Sequence, residues 1–120
     1  MNKIEIKKWL DSMNIKNYTI NKNLTVDVDG NVDLSYENLT SIPVQFGKIS
    51  GAFFCHNNEL LSLTGCPSSV GGNFWCGNNY LKSLKDCPSS VGGVFWCDGY
   101  LKNKREYKLY KITEKVKELS

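Results

Sequence analysis

The chain has 120 residues, 41% hydrophobic and 22% charged, with a formal net charge of +3. That size suits one domain, and the composition lies outside the disordered class. No apolar run approaches the ~18 residues of a membrane-spanning helix, and so mild a charge does not by itself point to nucleic acid.

The N-terminal segment MNKIEIKKWLDSMN lacks the apolar stretch of a secretory signal. Five cysteines without such a signal fit reduced thiols in a cytoplasm. Ile6, Trp9, Leu10 and Met13 form a helical stripe, which predicts a helix over residues 2–13 ended by Asn14. Leu24, Val26 and Val28 then alternate, and Asp29-Gly30 is a hairpin-turn signal. This pattern predicts a strand 24–28 paired antiparallel with 31–35. Residues 1–29 would thus cap the chain beyond them with a helix and a hairpin.

From residue 30 to 102 the chain repeats itself with a period of 21. Residues 51–71 and 72–92 are identical at 14 of 21 positions, so the repeat is not a chance match. A degenerate copy precedes them, in which Val32, Leu34, Ile42 and Ile49 keep the apolar columns of Phe53, Cys55, Leu63 and Val70. A truncated fourth copy, GVFWCDGYLK, starts at Gly93. The last segment, 103–120, spaces Leu109, Ile112, Val116 and Leu119 as an amphipathic helix, read as a C-terminal cap. Residues 102–120 hold seven basic and three acidic side chains, net +4, against three and five, net −2, in residues 30–101.

Each copy reads F-x-C-x-x-N-x-L-x-x-L, as in Phe74, Cys76, Asn79, Leu81 and Leu84. This resembles the leucine-rich repeat. The identical CPSSVGG at 66–72 and 87–93 is also similar to small phage-encoded proteins built from such 21-residue units. The resemblance implies an α+β repeat fold, a short leucine-rich-repeat-like solenoid of about four turns with a parallel strand face and a cap at each end. Each turn would be one strand followed by a return loop over the convex side. The asparagine column holds Glu37 in the first copy and Tyr100 in the last, so its backbone hydrogen bonding is expected to fail at both ends.

Register on the strand face comes from the first copy. Asp33 occupies the column of Phe54, Trp75 and Trp96, and a charge there places that column in solvent. Val32, Phe53, Phe74 and Phe95 then point inward, with Leu34, Cys55, Cys76 and Cys97. Three large aromatics are left in a row, with Ala52, Asn73 and Val94 flanking on one side and His56, Gly77 and Asp98 on the other. An apolar centre with a polar edge is the make-up of an interface hot spot. Cross-strand packing is the competing explanation for the same rings.

The cysteines sit in two repeat columns without C-x-x-C spacing, which favours packing over a metal site. Cys66 and Cys87, beside the proline-containing loop, are expected to be partly exposed. His56 has no triad or acid–base partner in the sequence, and no phosphate loop or H-E-x-x-H motif occurs. No catalytic residue, metal or cofactor is expected. The expected function is protein binding by Phe54, Trp75 and Trp96, with His56, Asn73 and Asp98 setting orientation. The phage resemblance implies a host protein as partner, and inhibition of a host enzyme or defence complex as outcome. A second reading is single-stranded nucleic-acid binding by ring stacking, with Lys104, Arg105, Lys108 and Lys111 on phosphate. Glycan binding and homodimerisation through the row are further alternatives.

Overall fold

The structure, a computed structural model, describes residues 1–97. Helix α1 (Lys3–Ser12) begins where predicted because Asn2 forms a capping box with Glu5. The Asn2 side chain accepts from the Glu5 N–H at 2.9 Å, and the Glu5 carboxylate accepts from the Asn2 N–H at 3.0 Å. Asn14, at φ +58°, follows the last turn in the left-handed conformation that asparagine tolerates. Ile6 and Leu10 are buried, and Trp9 leans on Phe46 with ring centroids 6.4 Å apart.

Strand β1 (Tyr18–Ile20) pairs antiparallel with β2 (Thr25–Val28). The second strand is the predicted one, but its predicted hairpin with residues 31–35 does not form. After Asp29-Gly30 the chain leaves the sheet of β2, and β3 (Val32–Asp33) belongs to another sheet. Gly30 does take a positive φ, +133°. It serves a corner between two sheets, and that needs the same glycine chemistry as a hairpin turn. Leu24, expected in the strand, sits before it at φ +70° and is partly exposed.

The repeats wind a solenoid of roughly three turns, with two strands per turn. One sheet has the order β1-β2-β4-β6-β8, with β4 (Gln45–Ile49), β6 (Ser69–Val70) and β8 (Ser90–Val91). The other has the order β3-β5-β7-β9, with β5 (Phe53–Phe54), β7 (Phe74–Trp75) and β9 (Phe95–Trp96). All pairings between turns are parallel. The expected convex return loop is therefore partly wrong: Ser-Val of CPSSVGG is a strand of its own. The glycines after it make the corner. A Cβ on Gly71 would land on the Ser50 carbonyl oxygen of the previous turn, and one on Gly92 would land on that of Gly71.

The core lies between the two sheets. Val32, Phe53, Phe74 and Phe95 enter it as the register required, and all are buried. Phe53, Phe74 and Phe95 stack with centroids 5.9 and 5.5 Å apart and planes within 15° and 22°. The five cysteines are buried thiols. Cys66 and Cys87 are 4% and 6% exposed, against the expectation of partial exposure, because the strands β6 and β8 fold their loop down onto the core.

Adjacent asparagines in each repeat do different work. Asn57 and Asn78 take left-handed φ values of +57° and +53°. Asn58 turns inward, accepting from the Glu37 and Leu39 N–H groups at 3.0 Å and donating to the Leu34 carbonyl at 2.8 Å. Asn79 repeats this one turn on, accepting from the Leu60 N–H and donating to the Cys55 carbonyl, both at 3.0 Å. Each such asparagine completes the turn before its own. Asn58 and Asn79 also donate to carbonyls of their own turns, those of Cys55 and Cys76. The Glu37 carboxylate has no N–H to donate in this way, as expected at the start of the series, and Tyr100 lies outside the described residues. So do the predicted C-terminal helix and its charges.

Candidate functional site

Strands β3, β5, β7 and β9 bring Asp33, Phe54, Trp75 and Trp96 into one row, neighbour to neighbour in register. Alternation along each strand puts this row on the face opposite the phenylalanine stack. Phe54 and Trp75 have centroids 4.9 Å apart, Trp75 and Trp96 6.0 Å, and neither pair is parallel. The rings lean on one another and are half-buried, not standing free. Asp33 heads the row in solvent, with Oδ1 accepting from the N–H and hydroxyl of Ser35.

His56 is a hub of this cluster. Its place in the sequence puts it on a polar edge, yet its ring meets Phe54 at 5.9 Å, Trp75 at 5.5 Å, Trp96 at 5.7 Å and Tyr36 at 5.7 Å. Gly77 explains how Trp96 reaches it. Gly77 holds the position of His56 one turn later, and the Trp96 indole fills the space that a side chain would need there. The His56 Nδ1 and Trp75 Nε1 are buried with no hydrogen-bond partner among the described residues. Burial holds the imidazole pKa below its ordinary value, opposed by the Asp33 charge.

Asn73 is engaged by the fold. Its Oδ1 accepts from the Val94 N–H at 2.8 Å, as Asn31 does from the Ala52 N–H at 2.8 Å. Val94 is 56% exposed, and with Trp75 and Trp96 it lines an apolar notch of ≈ 340 Å³. Asp98, Lys104, Arg105, Lys108 and Lys111 lie outside the described residues.

Tyr36 belongs to the cluster and is not foreseen by the spacing. It is 71% exposed and takes φ +58°, a strained value for a bulky side chain. Its column otherwise holds Asn57 and Asn78, so an aromatic among asparagines is the available signal. A polar groove of ≈ 420 Å³ on the other sheet is lined in part by Asp27, Asp29 and Lys48. One oxygen of each carboxylate is engaged by the fold: Asp27 Oδ1 accepts from the Lys48 N–H and Asp29 Oδ1 from the Ser50 hydroxyl, both at 2.8 Å.

Two of the buried thiols, Cys55 and Cys76, offer little nucleophilic chemistry. The Cys55 pKa is pushed well up by its hydrogen bond with Cys66 and by burial, and that of Cys76 by Cys97 and by burial. Among the described residues no helix is long and apolar enough to cross a membrane. No family model, no curated protein and no solved structure matches the chain.

Proposed function

We propose that the chain is a non-catalytic protein-binding module whose docking face is the row Phe54, Trp75 and Trp96. One observation carries this reading. Three large rings stand side by side on an outer face, still partly open to solvent, with an apolar notch beside them that their mutual packing leaves unfilled. Large aromatics each bring about 150–250 Å² of contact area, and they dominate interface hot spots. In this reading α1 is the N-terminal cap of a leucine-rich-repeat-like series and residues 103–120 the C-terminal one. The resemblance to phage-encoded repeat proteins makes the partner a protein of the infected cell, blocked by occupation of its surface.

Capture from a host lysate tests the face. The full chain retains a partner, while Trp75→Ala, Trp96→Ala loses it and keeps the circular dichroism of the parent. Unchanged capture by the folded double variant would sink the reading. Light scattering of both proteins separates a foreign partner from a second copy. A wild-type dimer that becomes monomeric in the variant assigns the row to self-association. Nucleic acid finds less support, because stacking platforms for single strands place cations beside the rings. Among the described residues, β3, β5, β7 and β9 carry no lysine or arginine.

A further inference from the structure

We infer that this face takes a short extended peptide segment with a cationic side chain and, about four residues away, a large apolar one. The cation sits at Asp33 and the apolar side chain in the notch of Trp75, Val94 and Trp96. The inference rests on the docking-face reading and adds the polarity and size of the ligand.

Polarity comes from the row itself. Asp33 is its single charged member and lies at the first turn, whereas the notch lies at the last described turn and, among the described residues, is lined by the carbon-rich side chains Trp75, Val94 and Trp96. The Asp33 Oδ1 is fixed by Ser35, and Oδ2 makes no hydrogen bond among the described residues. Tyr36, in the same turn, holds an exposed ring in a strained backbone conformation against His56. A carboxylate whose neighbour in the row is the aromatic Phe54 suits a lysine or arginine side chain. An anionic ligand would meet the wrong sign.

Spacing gives the length. Asp33 and Trp96 are three strand steps apart in register, about 14 Å at the usual 4.7–4.9 Å per step. An extended chain advances about 3.3 Å per residue, so four residues span the row, and residues four apart point to the same side. Three rings belong with apolar patches of about 300–600 Å², which a segment of about five residues, carried by a larger protein, covers. A dimer through this row alone falls short of the about 800 Å² per partner of a stable one.

The test uses the full chain labelled with 5-fluorotryptophan and followed by fluorine NMR. The probes are the capped pentapeptides Arg-Ser-Gly-Ser-Trp, its reverse Trp-Ser-Gly-Ser-Arg, and the versions of each with Glu in place of Arg. One arginine peptide is expected to shift the Trp75 and Trp96 resonances and leave Trp9 unmoved. Its glutamate version binds more weakly by up to about fivefold, the upper size of one exposed ion pair. Asp33→Asn keeps the Ser35 contacts and abolishes that difference, with an unmoved Trp9 signal certifying the fold. Equal response to the arginine and glutamate peptides overturns the inference and leaves the docking face standing. No response to any peptide overturns the inference, and the docking face is then judged by the lysate capture alone. Shifts that follow protein concentration without peptide also overturn it, since a second copy then occupies the face.

Discussion

The indole of Trp96 occupies the place of a side chain at Gly77: a Cβ there would lie 2.7 Å from two of its ring carbons. The row is therefore shaped by an absence one turn earlier. Gly77→Ala is expected to push the indole off His56, redden tryptophan emission and cost about 1–3 kcal/mol, as overpacking does. In a Trp96→Ala background the same substitution should cost almost nothing. Urea titrations of the four proteins in the cycle give the coupling, and a cost that persists without Trp96 would refute the contact.

Gly71 poses a harder obstacle, because the atom in the way is the Ser50 backbone carbonyl. A ring can swing aside, whereas a carbonyl in the stacked corner moves only with the turn. Gly71→Ala should destabilise more than Gly77→Ala, by about 3 kcal/mol or more. Thermal unfolding of the two variants side by side decides the order.

The paired asparagines separate two causes of stability. Asn58 is buried and serves the backbone of the preceding turn, so Asn58→Ala strands several polar groups and should cost about 3 kcal/mol. Asn57 contributes its tolerance of φ +57°. Asn57→Gly should be nearly neutral and Asn57→Ala should cost about 1 kcal/mol. Equal costs for the two alanine variants would contradict this division.

His56 gives the face a pH dependence. Burial holds its folded pKa below the ordinary 6.5, so the unfolded chain takes up a proton that the folded chain refuses. The contribution is complete above that ordinary value, declines as the pH falls below it, and levels off under the folded pKa. Unfolding free energy should therefore fall as the pH drops through and below about 6.5, and His56→Phe should flatten that stretch. An unchanged slope in the variant would assign the titration elsewhere.

The thiols should be unreactive while the chain is folded, since only the thiolate attacks and both Cys55 and Cys76 resist ionisation. Ellman's reagent is expected to modify the five cysteines only at the rate of unfolding. Rapid labelling under native conditions would mean that the core opens locally.

The period of 21 makes the inner row and the outer row readable from the amino acids, because one charged residue, Asp33, fixes the register of four strands. The second sheet is hidden. Ser69–Val70 and Ser90–Val91 are two residues long, too short to show alternation, and they lie in a segment whose proline and glycines read as loop. Asp29-Gly30 misleads for a physical reason: a corner between sheets and a hairpin turn both call for a residue at positive φ. The central place of His56 depends on where the Trp96 ring swings. Spacing alone does not carry that, although the change from His56 to Gly77 in one column marks the vacancy.

The asparagine bonds run against the direction of the chain. Asn58 donates to a carbonyl 24 residues behind it, and Asn79 does the same, while each also bonds a carbonyl of its own turn. A turn cut off from its successor therefore keeps its own asparagine bond and loses the one supplied from ahead, so shortening the chain by one period moves the same kind of edge back by one turn.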